Sequence, residues 1–161
     1  MSGPDRPVLA PCPGRLVALG DLPDPVFAGE MVGPGVAIDP DPGEVTVAAP
    51  IAGRVVKVHP HAFVILAEDG VGVLVHLGIN TNRLGGRGFE VLSEQGARVE
   101  AGDPMVRWDP AAVAELAGEN VDGQEVTTFV PVVVMDRPAG SVEPVDAERV
   151  DTGDRLFSVA P

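Results

Sequence analysis

His61-Ala62-Phe63-Val64-Ile65-Leu66-Ala67-Glu68-Asp69-Gly70-Val71-Gly72-Val73-Leu74-Val75-His76-Leu77-Gly78 decides how this chain is read. Two apolar runs of strand length flank an acidic-glycine turn, which is the signature of a β-hairpin. With Glu68 and Asp69 as the central turn residues, Phe63 faces Leu74 and His61 faces His76. Directly opposed residues of an antiparallel pair have Cβ atoms roughly 4.5–5.5 Å apart on one face, so this register brings two imidazoles together. A slip of one residue would send them to opposite faces.

Working outward, the chain has 161 residues, enough for one domain with a sizeable core. Gly (20) and Pro (17) punctuate valine-rich runs, and aromatics are scarce. This pattern predicts turns between the strands of an all-β protein. An internal repeat supports the same class. The segment from Val8-Leu9-Ala10-Pro11 through Gly14-Arg15 to Leu19 recurs as Val47-Ala48-Ala49-Pro50 through Gly53-Arg54 to Val58, and Arg98-Val99-Glu100-Ala101-Gly102-Asp103 recurs as Arg149-Val150-Asp151-Thr152-Gly153-Asp154. Two repeat types, each used twice, predict a pseudo-symmetric antiparallel β-sandwich or barrel-like fold over residues 1–161, with residues 1–7 as a flexible tail. Further strands are expected at Val36–Ile38, Gly43–Val47, Met105–Trp108 and Thr127–Met135. Pro131 is expected to confine its strand to an edge or a bulge. One short helix is expected over Pro110–Leu116, ending near Gly118.

The formal charge of −13 argues against nucleic acid or an anionic membrane as partner and suits a protein with a basic patch. The lone Cys12 permits no internal disulfide and is compatible with a reducing compartment. No apolar run reaches the length of a membrane span, and the first residues lack the apolar stretch of a signal peptide. A cytoplasmic protein is therefore expected.

His76 stands at a strand end, before Leu77-Gly78. A backbone carbonyl supplied by a turn at Gly78 would fix Nδ1 as donor and leave Nε2 with its lone pair, able to attack a phosphoryl group or bind a metal. His59, His61 and His76 together could also supply three nitrogen ligands to zinc. Asp24 lies in Leu22-Pro23-Asp24-Pro25-Val26-Phe27, read as a stiff exposed loop whose Val26 and Phe27 either plug the sandwich or form a docking patch. Lys57, the sole lysine, sits in a valine run and lacks the setting of a biotin- or lipoate-bearing lysine.

Taken in order, the motifs resemble the glucose-type enzyme IIA component of the bacterial phosphoenolpyruvate:sugar phosphotransferase system. They are Ala10-Pro11 with Gly14, Pro23-Asp24-Pro25-Val26-Phe27-Ala28, Met31 to Ile38, Ala49-Pro50-Ile51-Ala52-Gly53, His61-Ala62-Phe63, Gly70 to Thr81, Gly86-Arg87-Gly88-Phe89 and Pro131 to Val134. The resemblance implies a β-sandwich phosphotransferase that acts in sugar transport and needs no cofactor. By it, His76 accepts phosphate on Nε2 from the carrier protein HPr and passes it to a cysteine of an enzyme IIB domain. His61 would be the assisting imidazole, with Gly78, Thr81 and His59 in support, and Thr81 would offer a further hydroxyl to the phosphoryl group. Asp24, Val26, Phe27, Phe63 and Asn80 would form the partner-docking rim. A monomer is expected, with regulated permeases or enzymes as further partners.

Three positions depart from the family pattern: His59 replaces a common threonine, and Asn80 and Asn82 stand where an acid and an apolar residue are usual. The pair His61 and His76 is also a candidate zinc site. Two rival readings are a zinc-dependent hydrolase using His59, His61 and His76, and a purely regulatory binding module.

Overall fold

The structure is a computed structural model that describes residues 5–118, 120–121 and 124–160. The chain runs through β1 (Arg6–Leu9), β2 (Gly14–Val17), a 3-10 turn at Leu19–Asp21 and α1 (Pro25–Ala28). Next come β3 (Gly35–Pro40), β4 (Val45–Ala48), β5 (Gly53–His59), β6 (Ala62–Leu66), β7 (Gly72–His76) and a second 3-10 turn at Thr81–Leu84. The rest comprises β8 (Phe89–Val91), β9 (Arg98–Val99), β10 (Pro104–Trp108), α2 (Pro110–Ala117), β11 (Asn120–Val121), β12 (Gln124–Glu125), β13 (Val130–Val134), β14 (Arg149–Val150) and β15 (Arg155–Val159).

Every strand pair is antiparallel. The main sheet has the order β14-β2-β3-β13-β7-β6-β5-β9, and the pairs β1–β15 and β4–β10–β8 lie apart from it. Inward residues of the main sheet, such as Ile38, Val55, Phe63, Ile65, Val75 and Val132, share one buried cluster with Val8, Val47, Met105, Trp108, Leu156 and Phe157 of the smaller sheets. Side chains alternating between the two faces of the sheet produce this layer, while β13, buried at all five positions, is covered on both faces.

The repeats occupy equivalent places. β2 pairs with β14 as β5 pairs with β9, and β1 pairs with β15 as β4 pairs with β10. Their corners match bond for bond: Ala10 N–H donates to Asp154 O, and Ala49 N–H donates to Asp103 O. Asp103 and Asp154 each accept from the backbone three residues earlier, at Glu100 and Asp151, both at 2.8 Å. The pseudo-twofold thus passes between β13 and β7, at the middle of the sheet.

Four expectations need correction. Arg6 and Pro7 belong to β1, where Arg6 pairs with Val159 and bonds Asp69 at 2.8 Å. The tail is shortened accordingly, and residues 1–4 lie outside the described residues. Residues 25–28 form a helical turn rather than an extended loop: Asp24 caps it, accepting from Val26 N–H at 2.7 Å, and Pro25 occupies the first helical position. Among the described residues there are therefore two α-helical segments, with α2 capped at Gly118 as expected.

Pro131 lies in a central strand, between β3 and β7. Val134 N–H donates to Pro34 O on the β3 side, and Met135 N–H donates to Gly72 O on the β7 side. Alternation then aims the missing N–H of Pro131 toward His76, where the β13–β7 ladder has already ended at the Val132–Val75 pair. The proline removes a bond that the ladder does not make there, so it is tolerated away from any edge.

The β6–β7 register is also shifted by one. Ala62 pairs with His76 and Phe63 with Val75. The turn takes three residues, Glu68-Asp69-Gly70, closed by Gly70 N–H to Ala67 O and Ala67 N–H to Val71 O. Gly70 has φ +90°, the position that a three-residue hairpin reserves for glycine.

Candidate functional site

Pairing places residues in rows across the outer face of the main sheet. His59 pairs with Ala62, and Ala62 with His76. The next row is Lys57, Val64 and Leu74. Pro60 and His61 form the two-residue turn between β5 and β6, so His61 is not bound by the pleat. Its carbonyl accepts from Leu77 N–H at 2.7 Å, which holds the turn against the end of β7. The His61 ring stacks on His59 with centroids 5.7 Å apart and meets His76 edge-on at 5.2 Å. The methyl of Ala62, between His59 and His76 in the row, leaves room for this third ring.

His76 is held from three directions. Its Nδ1 bonds the Gly78 carbonyl. Its ring meets Phe27 edge-on at 5.5 Å, and Asp24 lies near enough to favour its charged form. Gly78 makes the first contact possible: it has φ +86°, and a Cβ there would stand 2.6 Å from the Thr127 carbonyl. The turn beyond is closed by Ile79 and Thr127, each donating its N–H to the other's carbonyl. Thr81, fully buried, donates its hydroxyl to Leu77 O at 2.6 Å.

Burial dominates the electrostatics. It lowers the pKa of His76, against the opposing effects of the Gly78 carbonyl and Asp24. His61 is pushed down to about 4 by burial first, then by the charges of His76 and His59. At neutral pH both rings are neutral, as a lone-pair nucleophile and a single-proton donor require. A carbonyl opposite Nδ1 makes that atom the donor and leaves the lone pair on Nε2.

Several expected site residues fall elsewhere. Phe63 is 1% exposed, packed in the main core, and cannot reach a partner. Phe27 is buried too, forming the wall behind His76 rather than a rim. Val26 remains exposed at 42%, and Met31, which sequence reasoning passed over, reaches 76%. Asn80 is half-buried in the left-handed conformation and starts the second 3-10 turn. The Thr81 hydroxyl proton is committed to Leu77, so Thr81 stabilises the turn and is not placed to donate to a ligand. Ala62 was also missed; only the observed register, which sets Ala62 opposite His76, identifies it.

The zinc-hydrolase reading finds no support. Among the described residues no three His, Cys, Asp or Glu side chains are grouped to hold a metal ion.

With this geometry in hand, residues 6–137 match the family model for the phosphoenolpyruvate-dependent sugar phosphotransferase system, EIIA 1. The chain belongs to that family. It is similar to the protein named PTS system glucose-specific EIIA component of Staphylococcus aureus strain COL, 48% identical over 107 residues, 65% of this chain and 63% of the relative. The protein of the same name from Staphylococcus epidermidis is 47% identical over 104 residues, 63% of this chain and 61% of the relative. The chain thus matches somewhat less than two thirds of the length of these curated relatives. Among solved structures, glucose permease IIA from Mycoplasma capricolum superimposes with a TM-score of 0.83 at 32% identity, covering 97% of this chain and 96% of that one. The antiparallel sandwich expected from the repeats, and the EIIA fold implied by the resemblance, are the observed architecture. No helix among the described residues is long and apolar enough to cross a membrane.

Proposed function

We propose that this chain is a cytoplasmic phosphocarrier of the sugar phosphotransferase system, taking a phosphoryl group from phospho-HPr on His76 and passing it to a cysteine of an enzyme IIB domain. The observation that carries the reading is the His76 ring, tied through Nδ1 to Gly78, with the His61 ring 5.2 Å away.

As the His76 Nε2–P bond forms, the donor's N–P bond breaks and the donor ring, cationic while phosphorylated, becomes neutral. The His76 ring takes up that positive charge, and the Gly78 carbonyl stabilises it through Nδ1–H, since a bond from a charged donor is the stronger kind. In the onward step an S–P bond forms to the acceptor thiolate and the electron pair returns to Nε2. Such in-line transfer needs positioning and charge stabilisation more than covalent machinery. His61 donates to the equatorial oxygens. Phe27 behind the ring and exposed Val26 and Met31 beside it exclude water and offer apolar contact to each partner.

No metal takes part in this scheme. Zinc on His61 and His76 would occupy the Nε2 lone pair, draw its remaining ligands from outside this chain and compete with phosphorylation. The site presents one surface with the phosphoryl group and another without it, which suits a regulatory role alongside transfer. The chain is taken to act as a monomer, because successive partners must reach one site.

The test is labelled phosphoenolpyruvate with enzyme I and HPr, on wild type and His76→Ala in parallel. Acid-labile, alkali-stable label on wild type alone is expected. Stoichiometric acid-labile label on His76→Ala would overturn the assignment.

A further inference from the structure

The turn between β5 and β6 fixes the backbone of His61 but not the direction of its ring. The His61 carbonyl accepts from Leu77 N–H at 2.7 Å. Its neighbour Pro60 is backed by the loop after β7, where a Cβ on Gly86 would stand 3.3 Å from Pro60 Cγ. Neither contact sets the side-chain torsions, and a half-buried turn residue has no pleat to set them. The aromatic neighbours of the His61 ring are His59 on its face, at 5.7 Å with 17° between planes, and His76 at its edge, at 5.2 Å with 64°.

These two neighbours differ in constancy. In the phosphocarrier reading the His76 ring gains a phosphoryl group and a positive charge in each cycle, then loses both. The His59 ring undergoes no such change. An irregularity in β5 delivers it to the face of His61. Val55 pairs with Ile65 and Lys57 with Val64, so Val56 is an extra residue in the ladder. Simple alternation from Val55, which is fully buried, would send Lys57 and His59 into the core. The bulge reverses that phase: Val58 packs inward, and His59 stands exposed on the outer face opposite Ala62. Re-aiming a side chain beside a reactive site is a recurrent use of such bulges.

We infer that His59 is a positioning residue for the onward transfer: its stacked ring holds the His61 imidazole in the orientation that donates to the phosphoryl group on His76. The inference rests on the phosphocarrier reading and adds to it the residue that keeps the assisting donor aimed once His76 is occupied. Offset aromatic rings attract at centroid separations of about 4.5–7 Å, and the His59–His61 pair lies within that range. Loss of one such pair lowers the share of correctly aimed donors about threefold to tenfold. The role needs a flat ring at position 59. It needs neither a charge there nor contact with the phosphoryl group.

The experiment compares wild type with His59→Ala and His59→Phe. His59 is exposed, so both variants should unfold thermally close to wild type. Phosphorylated protein is mixed with the isolated IIB domain in quench flow, and the saturated rate and the half-saturating concentration of IIB are read separately. His59→Ala should lose about threefold to tenfold in the saturated rate, with the half-saturating concentration unchanged. His59→Phe, which keeps a flat ring without the imidazole nitrogens, should recover most of that loss. The nuclear Overhauser contact between His61 and His76 should weaken in His59→Ala and return in His59→Phe.

A His59→Phe protein no faster than His59→Ala would overturn the inference, because it would assign to the imidazole nitrogens a polar contact with the phosphoryl group. A loss confined to the half-saturating concentration would overturn it too, making His59 a contact for the partner instead. A wild type that takes no label from phospho-HPr removes the phosphocarrier reading and this inference together. A labelled wild type beside a His59→Ala protein of equal transfer rate removes this inference alone.

Discussion

The imidazole of His61 lies 5.2 Å from that of His76 although the two residues are not cross-strand partners. The partner of His76 is Ala62, and His61 reaches over it from the turn between β5 and β6. A one-residue slip in register would ordinarily separate the rings onto opposite faces. It does not here, because a turn residue is free of the pleat. The two histidines therefore depend on a small side chain between them and on the bond from Leu77 N–H to the His61 carbonyl.

The first prediction concerns that small side chain. Ala62→Leu fills the space beneath the His61 ring from the outward face, where added volume scarcely disturbs the core. Onward phosphoryl transfer should fall about tenfold or more, since a misplacement of about 1 Å can cost 10²-fold. Thermal unfolding should move little. Transfer rates and the nuclear Overhauser contact between the two imidazoles check it, and an unaltered contact would count against the role given to Ala62.

His61→Gln should still be phosphorylated on His76, because the nucleophile and its Gly78 anchor are untouched. Onward transfer should slow by about 10²-fold, the scale of losing one donor to a developing negative charge. Quench-flow transfer to the IIB domain measures this, and a variant as fast as wild type would leave His61 without a catalytic role.

Gly78→Ala strains the turn that supplies the carbonyl for Nδ1. The alanine must adopt φ +86° with its Cβ 2.6 Å from the Thr127 carbonyl, at a cost of about 1–3 kcal/mol or more. Thr81→Val, which keeps the shape but leaves Leu77 O without its buried donor, should cost about 1–3 kcal/mol. Urea midpoints of the two variants test both figures. Only Gly78→Ala should also slow phosphorylation markedly.

The pKa of His61, pushed down to about 4 by burial and then by its neighbouring imidazoles, carries a pH dependence. The unfolded chain binds this proton near pH 6.5, so between about 6.5 and 4 the unfolded state holds more protons than the folded one. The corresponding stability is fully present above pH 6.5 and is lost as pH falls through that window. His61→Gln should therefore show a smaller drop in Tm between pH 7 and pH 4.5 than wild type. Equal drops would mean that the ring titrates normally.

Much of this was legible in the residues. The Pro-Gly punctuation, the doubled repeats and the hairpin around Glu68-Asp69-Gly70 specify an antiparallel sandwich with a twofold plan, because turn chemistry and period-two alternation are local properties. The anchoring of His76 could likewise be read from Gly78, since only a residue at ease with positive φ lets the chain curl back to Nδ1. Register was not legible to the residue: a two-residue and a three-residue turn both suit the same acidic-glycine stretch, and side-chain packing on both faces chooses between them. The burial of Phe63 follows from that same register, whereas the placement of Pro131 in a central strand follows from the strand order.

The sequence by itself determined the fold class, the two histidines and the family, because alternation, turn residues and ordered motifs are written along the chain. Only the tertiary structure decided how the histidines meet. It set His61 over Ala62, Phe27 behind His76, and the loop of Arg83 and Arg87 beside Pro60. Those contacts join residues far apart in sequence, and their geometry exists only once the sheet has closed and one packing arrangement has excluded the others.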